Sequence, residues 1–131
     1  MRKAVAMLAV LAGTAAGAQT VATEVSRVSG AEVTRHIHGF LSAEERALLQ
    51  VVATTPEALE VILGAAPEGH AAMAVAPGEG LLRGGVPVDS AQAIAGLGDR
   101  AAARAAALEG CEALRQSGPA CVVVLEVAPG R

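Results

Sequence analysis

Cys111 lies in an alanine-rich segment, Arg100 to Arg115, and Cys121 opens the run Cys121-Val122-Val123-Val124-Leu125. No other cysteine exists in the chain, so the relation between these two segments limits the folds open to it. The first segment is free of β-branched residues and rich in the best helix former, which predicts a helix with Asp99 as its cap. The second carries the strongest strand signal in the sequence. Gly118-Pro119 between them ends the helix. Ala103, Ala107, Cys111 and Leu114 share one helix face, with Leu108 on its flank, while Glu109, Glu112 and Arg115 look outward. A Cys111–Cys121 bond would tie that inner face to the strand beneath it, and the small side chains would let the helix sit close to a sheet.

The alternatives for the pair are free thiols, redox work and half of a metal site. The spacing is too long for the CxxC of thiol oxidoreductases. No second cysteine pair completes a four-ligand zinc site, and no histidine lies beside either residue. A structural disulfide is therefore expected. Closing so short a loop adds about 2–3 kcal/mol in the chain-entropy account. That matters here, because Phe40 is the only aromatic residue and alanine supplies much of the apolar content. Small side chains bury little area each, at roughly 25 cal/mol per Å².

The N-terminus indicates the compartment. Met1-Arg2-Lys3 is basic, Ala4 to Leu11 is uncharged and mostly apolar, and Gly13 to Ala18 is almost wholly small residues. This order is that of a secretory signal peptide over residues 1–18, cleaved after Ala16-Gly17-Ala18. The apolar run is well short of the roughly 20 residues that span a bilayer, so no stable membrane anchor is expected. A periplasmic or secreted location follows, where an even cysteine count favours a disulfide. Loss of Arg2 and Lys3 moves the formal charge from −3 to about −5. Without a basic cluster such a chain has no means of releasing counterions from a phosphate backbone, so nucleic acid is not an expected partner.

Residues 19–30 are polar and read as a loose N-terminal segment, and 31–131 as a single domain. Ala31 to Ile37 reads as a strand. Ser42-Ala43-Glu44-Glu45 is a capping box, followed by a helix to about Ala53 with Ala47, Leu48, Val51 and Val52 as its apolar stripe. Thr55-Pro56-Glu57 starts a second helix that Gly64 ends. Ala71 to Ala76 suits a buried strand, Pro77-Gly78-Glu79-Gly80 a turn, and Leu81 to Val88 a broken or edge strand. Asp89-Ser90 reads as a turn before Ala91 to Ala95. The layout expected is a small α+β domain with a short antiparallel sheet, helices covering one face, and one helix-to-strand disulfide.

The stretch Ala71-Ala72-Met73-Ala74-Val75-Ala76-Pro77-Gly78-Glu79-Gly80-Leu81, together with Ala103 to Cys111, Cys121-Val122-Val123-Val124 and Pro129, resembles a family of small exported alphaproteobacterial proteins of unknown function. The resemblance covers Ala71 to Pro129; Gly69-His70 stands where the family has an aromatic pair. Some members carry the label "5-aminolevulinic acid synthase". Such chemistry needs pyridoxal phosphate on a lysine Schiff base, and the only lysine here is Lys3, inside the signal segment. The label is rejected as chemistry, and no cofactor is expected.

Candidate sites are few. His36 and His38 form His-x-His, which on a strand puts both rings on one face, a spacing that metal sites use. Glu32 could join them, and His70 is the only other histidine. The bland alternative is an exposed polar strand edge. Asp89-Ser90 lacks any nucleophile signature. Gly78-Glu79-Gly80 lacks the lysine and following helix of a phosphate loop. Glu44-Glu45 is a first-turn acidic pair that suits the helix dipole. No catalytic residue is assigned. The leading expectation is a non-enzymatic interaction or binding domain acting on a protein or envelope partner; the alternative is a metal-binding protein that uses His36 and His38.

Overall fold

The computed structural model describes residues 21–64 and 69–130. The signal-peptide expectation for residues 1–18 lies outside them. Five strands form one antiparallel sheet. β1 (Ala22–Val28) and β2 (Ala31–Ile37) make a hairpin, followed by α1 (Ala43–Thr54) and α2 (Pro56–Leu63). β3 (His70–Val75) comes next, then a two-stranded ribbon of β4 (Leu82–Arg83) and β5 (Val86–Pro87). β6 (Gln92–Leu97), α3 (Arg100–Leu114) and β7 (Val122–Ala128) complete the chain. The order across the sheet is β1-β2-β7-β3-β6, so the last strand inserts at the centre. Among the described residues no helix is long and apolar enough to cross a membrane.

The α+β class, the antiparallel sheet and the disulfide agree with expectation, but the helices divide between the two faces. On one side α1 and α2 bury Leu49, Val52 and Leu59 against Val33, Met73, Val75, Leu125 and Val127. On the other, α3 sets Ala103, Ala107 and Cys111 against Ala72, Ala74, Ala76 and Val123. The physical reason is visible in β7. Val123 to Val127 are all buried, so the central strand needs cover above and below. Alanine on both partners brings α3 close, and Cys111 bonds to Cys121 with the Cα atoms 6.2 Å apart.

Local chemistry sets the helix ends. Ser42 and Glu45 form the capping box: the Glu45 amide donates to the Ser42 hydroxyl and the Ser42 amide to the Glu45 carboxylate. Asp99 caps α3 by accepting from the Ala102 amide at 2.7 Å. Gly64 ends α2 at φ 86°, and Pro56 stands in its first turn, although Thr55 makes no side-chain cap.

Three expectations need correction. The described part of the segment 19–30 is not loose, for Ala22–Val28 form β1, paired along its length with β2 through a Ser29-Gly30 turn in which both residues have positive φ. That is the backbone a two-residue hairpin demands. The Ser26 hydroxyl donates to the Ala53 carbonyl at 2.6 Å and anchors β1 to the end of α1. The buried stripe of α1 is Glu45, Leu49, Val52 and Ala53, leaving Ala47 exposed and Val51 49% exposed. The helix is turned by the inward pull on Glu45, whose Oε2 accepts from the amides of Leu81 and Leu82, both at 2.8 Å. Leu81 to Val88, expected as a broken or edge strand, fold as the separate two-stranded β4–β5 ribbon, and Gln92–Leu97 form the edge strand β6. Leu114 is 46% exposed, beyond the part of α3 that packs on the sheet.

Candidate functional site

The site grows from one carboxylate in an apolar strand. Glu126 lies on β7, opposite Thr34 of β2 and Ala72 of β3, in the middle of the sheet and only 5% exposed. A carboxylate so placed needs charged partners or it protonates. Two arginines and a histidine hydrogen bond arrive from two directions. Arg100 and Arg104, one turn apart on α3, reach down to it. Arg100 donates from Nε to Oε1 at 2.7 Å and from Nη2 to Oε2 at 3.2 Å, and Arg104 donates from Nη1 to Oε2 at 2.7 Å. His36 is two residues along β2 from Thr34 and therefore on the same face. Its Nε2 meets Oε2 at 2.5 Å.

Burial works to raise the Glu126 pKa, but the hydrogen bonds from Arg100 and His36 and the charges of Arg104 and Arg100 outweigh it, lowering it from 4.5 to about 2. Glu126 in return pushes the Arg100 pKa up. The carboxylate is thus an internal counter-ion that orients a cationic cluster.

Beside this cluster a groove of about 320 Å³ runs between α3 and the β2–β7 floor. His36, His38, Arg104, Leu108 and Cys121 line it, with Val21 at one end. The expected pairing of His36 and His38 on one face holds, with ring centroids 6.5 Å apart. Both Nε2 atoms are engaged as donors, His36 to Glu126 and His38 to the Val123 carbonyl at 3.0 Å. An imidazole nitrogen that donates has no lone pair for a metal. Glu32 does not join the pair; it lies near Arg27, at 3.9 Å. Among the described residues no group of three or more His, Cys, Asp or Glu side chains is placed to hold a metal ion. His70 lines a small cleft on the far side of Glu126, with Arg100 and Glu32, and its buried Nδ1 has no hydrogen-bond partner.

The other singled-out residues serve the fold. Ser90 is buried and donates to Glu79, whose second oxygen accepts from the amides of Gln116 and Ser117 at 2.6 and 3.0 Å. The Ser90 hydrogen bond and these amides hold the Glu79 carboxyl below its ordinary pKa. A cavity of about 350 Å³ opens there, and no histidine lines it, so Asp89-Ser90 is not part of a triad. Within the Glu44-Glu45 pair, Glu44 is exposed, while Glu45 is buried as described. Burial raises the Glu45 pKa, and the amides of Leu82, Ser42 and Leu81 more than reverse this.

Sequence reasoning passed over Arg100, Arg104 and Glu126. Two signals pointed to them: an acid inside the most apolar strand, and arginine in the first turn of a helix whose first turn has no acid. Cations there oppose the helix dipole.

Comparison with protein-family models, with curated proteins and with solved structures finds no match to this chain.

Proposed function

We propose that this chain is an exported, disulfide-stapled binding domain, periplasmic or secreted, that engages its partner through the groove between α3 and β2. One observation carries the reading. Glu126, the one acid buried on the central strand, is engaged in holding Arg104 and His36 at the side of an open groove, with Arg100 bound to it in the cleft beyond. An arrangement of this kind presents donors to a ligand; it does not free a base or a nucleophile for reaction. The same is true of Glu45 and Glu79, whose oxygens accept from fixed amides. Cys121 in the groove wall gives the disulfide a second role, since the staple then fixes one side of the binding surface. Export rests on the basic, apolar and small-residue order of residues 1–18, and the disulfide fits an oxidising compartment.

The test is an amide-resolved NMR titration of the chain from Gln19 with a low-mass envelope extract. Shifts concentrated at residues 34–38, 104–108 and 121–123, and lost in Leu108→Glu, support the reading. An unchanged spectrum, or shifts confined to the Glu79–Ser90 cavity, contradicts it. The second reading, a metal site at His36 and His38, is favoured by their common face alone; metal there requires the Nδ1 atoms or displacement of the two Nε2 hydrogen bonds.

A further inference from the structure

We infer that the groove takes a small monocarboxylate with an aliphatic body, its head on Arg104 and its chain along Leu108 and the disulfide. The inference rests on the binding reading of the groove and adds the class of ligand. The charge count sets the head group. Glu126 carries one negative charge, and Arg100 and Arg104 carry two positive charges. Arg100 forks onto Glu126 with two nitrogens and is further screened by Glu32. Arg104 gives Glu126 only Nη1. Its Nε and Nη2 donate to no protein group among the described residues, and its side chain is 41% exposed. The surplus is one unit of charge, located at the groove.

No acidic residue lines that groove, although the whole chain carries a formal charge of −3. One free guanidinium edge suits one carboxylate, which it can meet with two parallel hydrogen bonds. A dianion would meet a single uncompensated cation. The body follows from the walls: Leu108, Val21, Val123 and the Cys121 end of the disulfide offer apolar contact beyond the polar end. The volume of about 320 Å³ corresponds to on the order of ten heavy atoms at roughly 30 Å³ per water-sized group. Octanoate is a probe of that size and charge.

The experiment is calorimetric and NMR titration of the chain from Gln19 with octanoate, with octanol and acetate as controls and Arg104→Gln as the variant. Octanoate is expected to shift the amides of residues 104–108 and 121–123. Octanol and acetate should each bind at least tenfold more weakly, and Arg104→Gln should weaken octanoate by about tenfold. Octanol binding as tightly as octanoate, or no octanoate binding, overturns the inference. The ligand series on the unaltered protein decides the matter even where Arg104→Gln fails to fold. If octanoate fails while the envelope extract still perturbs the groove, the ligand class is wrong and the binding reading stands. If both leave the groove unperturbed, the two fall together.

Discussion

Arg104 on α3 and Glu126 on β7 meet at 2.7 Å, Nη1 to Oε2, where the helix crosses the buried centre of the sheet. This contact joins stability to function, because the same guanidinium borders the groove. Removing the carboxylate leaves Arg100 and Arg104 without their counter-ion at the sheet and His36 without its acceptor. Glu126→Gln is therefore expected to destabilise the fold at neutral pH by on the order of 2 kcal/mol, given the screening at the exposed arginines. The pH dependence follows from the depressed pKa. The unfolded chain takes up its proton near 4.5 and the folded chain only near 2, so this contribution is complete above the first value and is lost as the pH falls toward the second. Chemical denaturation at a series of pH values should show wild-type stability declining over that interval, with a shallower decline in Glu126→Gln.

The disulfide gives a second prediction. Purified protein should contain no free thiol, and Cys121→Ala should cost about 2–3 kcal/mol, lowering Tm by several degrees. Thiol titration and a melting curve check this. A redox role would show instead as easy reduction and rapid reaction with a thiol probe.

Glu45 and its neighbour Glu44 make a matched pair for mutation. Glu45 accepts from the amides of Ser42, Leu81 and Leu82, whereas Glu44 is exposed. Glu45→Ala leaves the Leu81 and Leu82 amides without an acceptor under cover and should cost roughly 2–3 kcal/mol, while Glu44→Ala should stay within about 0.5 kcal/mol. Urea unfolding of the two variants distinguishes them.

Gly118 tests the loop packing. It has φ +84°, and a Cβ built there would lie 3.0 Å from the Gly78 Cα. That approach sets Gln116 and Ser117 to donate to Glu79. Gly118→Ala combines backbone strain with a contact that backbone atoms cannot relieve, and should cost about 1–3 kcal/mol. Gly39→Ala, at a glycine with open space around its Cβ position and no positive φ, is the control.

For the histidine pair, zinc or copper(II) titration is expected to reveal no site tighter than micromolar, because both Nε2 atoms already donate within the protein. A nanomolar, stoichiometric site that weakens at least tenfold in His36→Ala and His38→Ala would put the metal reading first.

What could be read from the sequence was local. The Ser42–Glu45 box, the Asp99 cap, the Gly64 stop and the alanine face of α3 depend on residues a few positions apart, and so did the cysteine staple. β6 was hidden because Ala91, Ala93 and Ala95 give almost no strand signal, and only pairing with β3 makes Gln92–Leu97 a strand. β1 was missed through its polar residues, which an edge strand with one open face tolerates. The site was the least legible part. His36 and Arg104 reach Glu126 across 90 and 22 positions, and no spacing rule links residues that only the insertion of β7 between β2 and β3 brings together.

The most direct test of the account is the ionisation of Glu126 itself, read from its side-chain carboxyl ¹³C resonance in the folded protein at about pH 3.5, between the ordinary and the depressed carboxylate ranges. With a pKa lowered to about 2, the carboxyl should still be almost wholly ionised there, and Arg104→Gln should move its midpoint upward. A Glu126 that titrates near the ordinary 4.5, unmoved by Arg104→Gln, would contradict the claim that this carboxylate organises the groove.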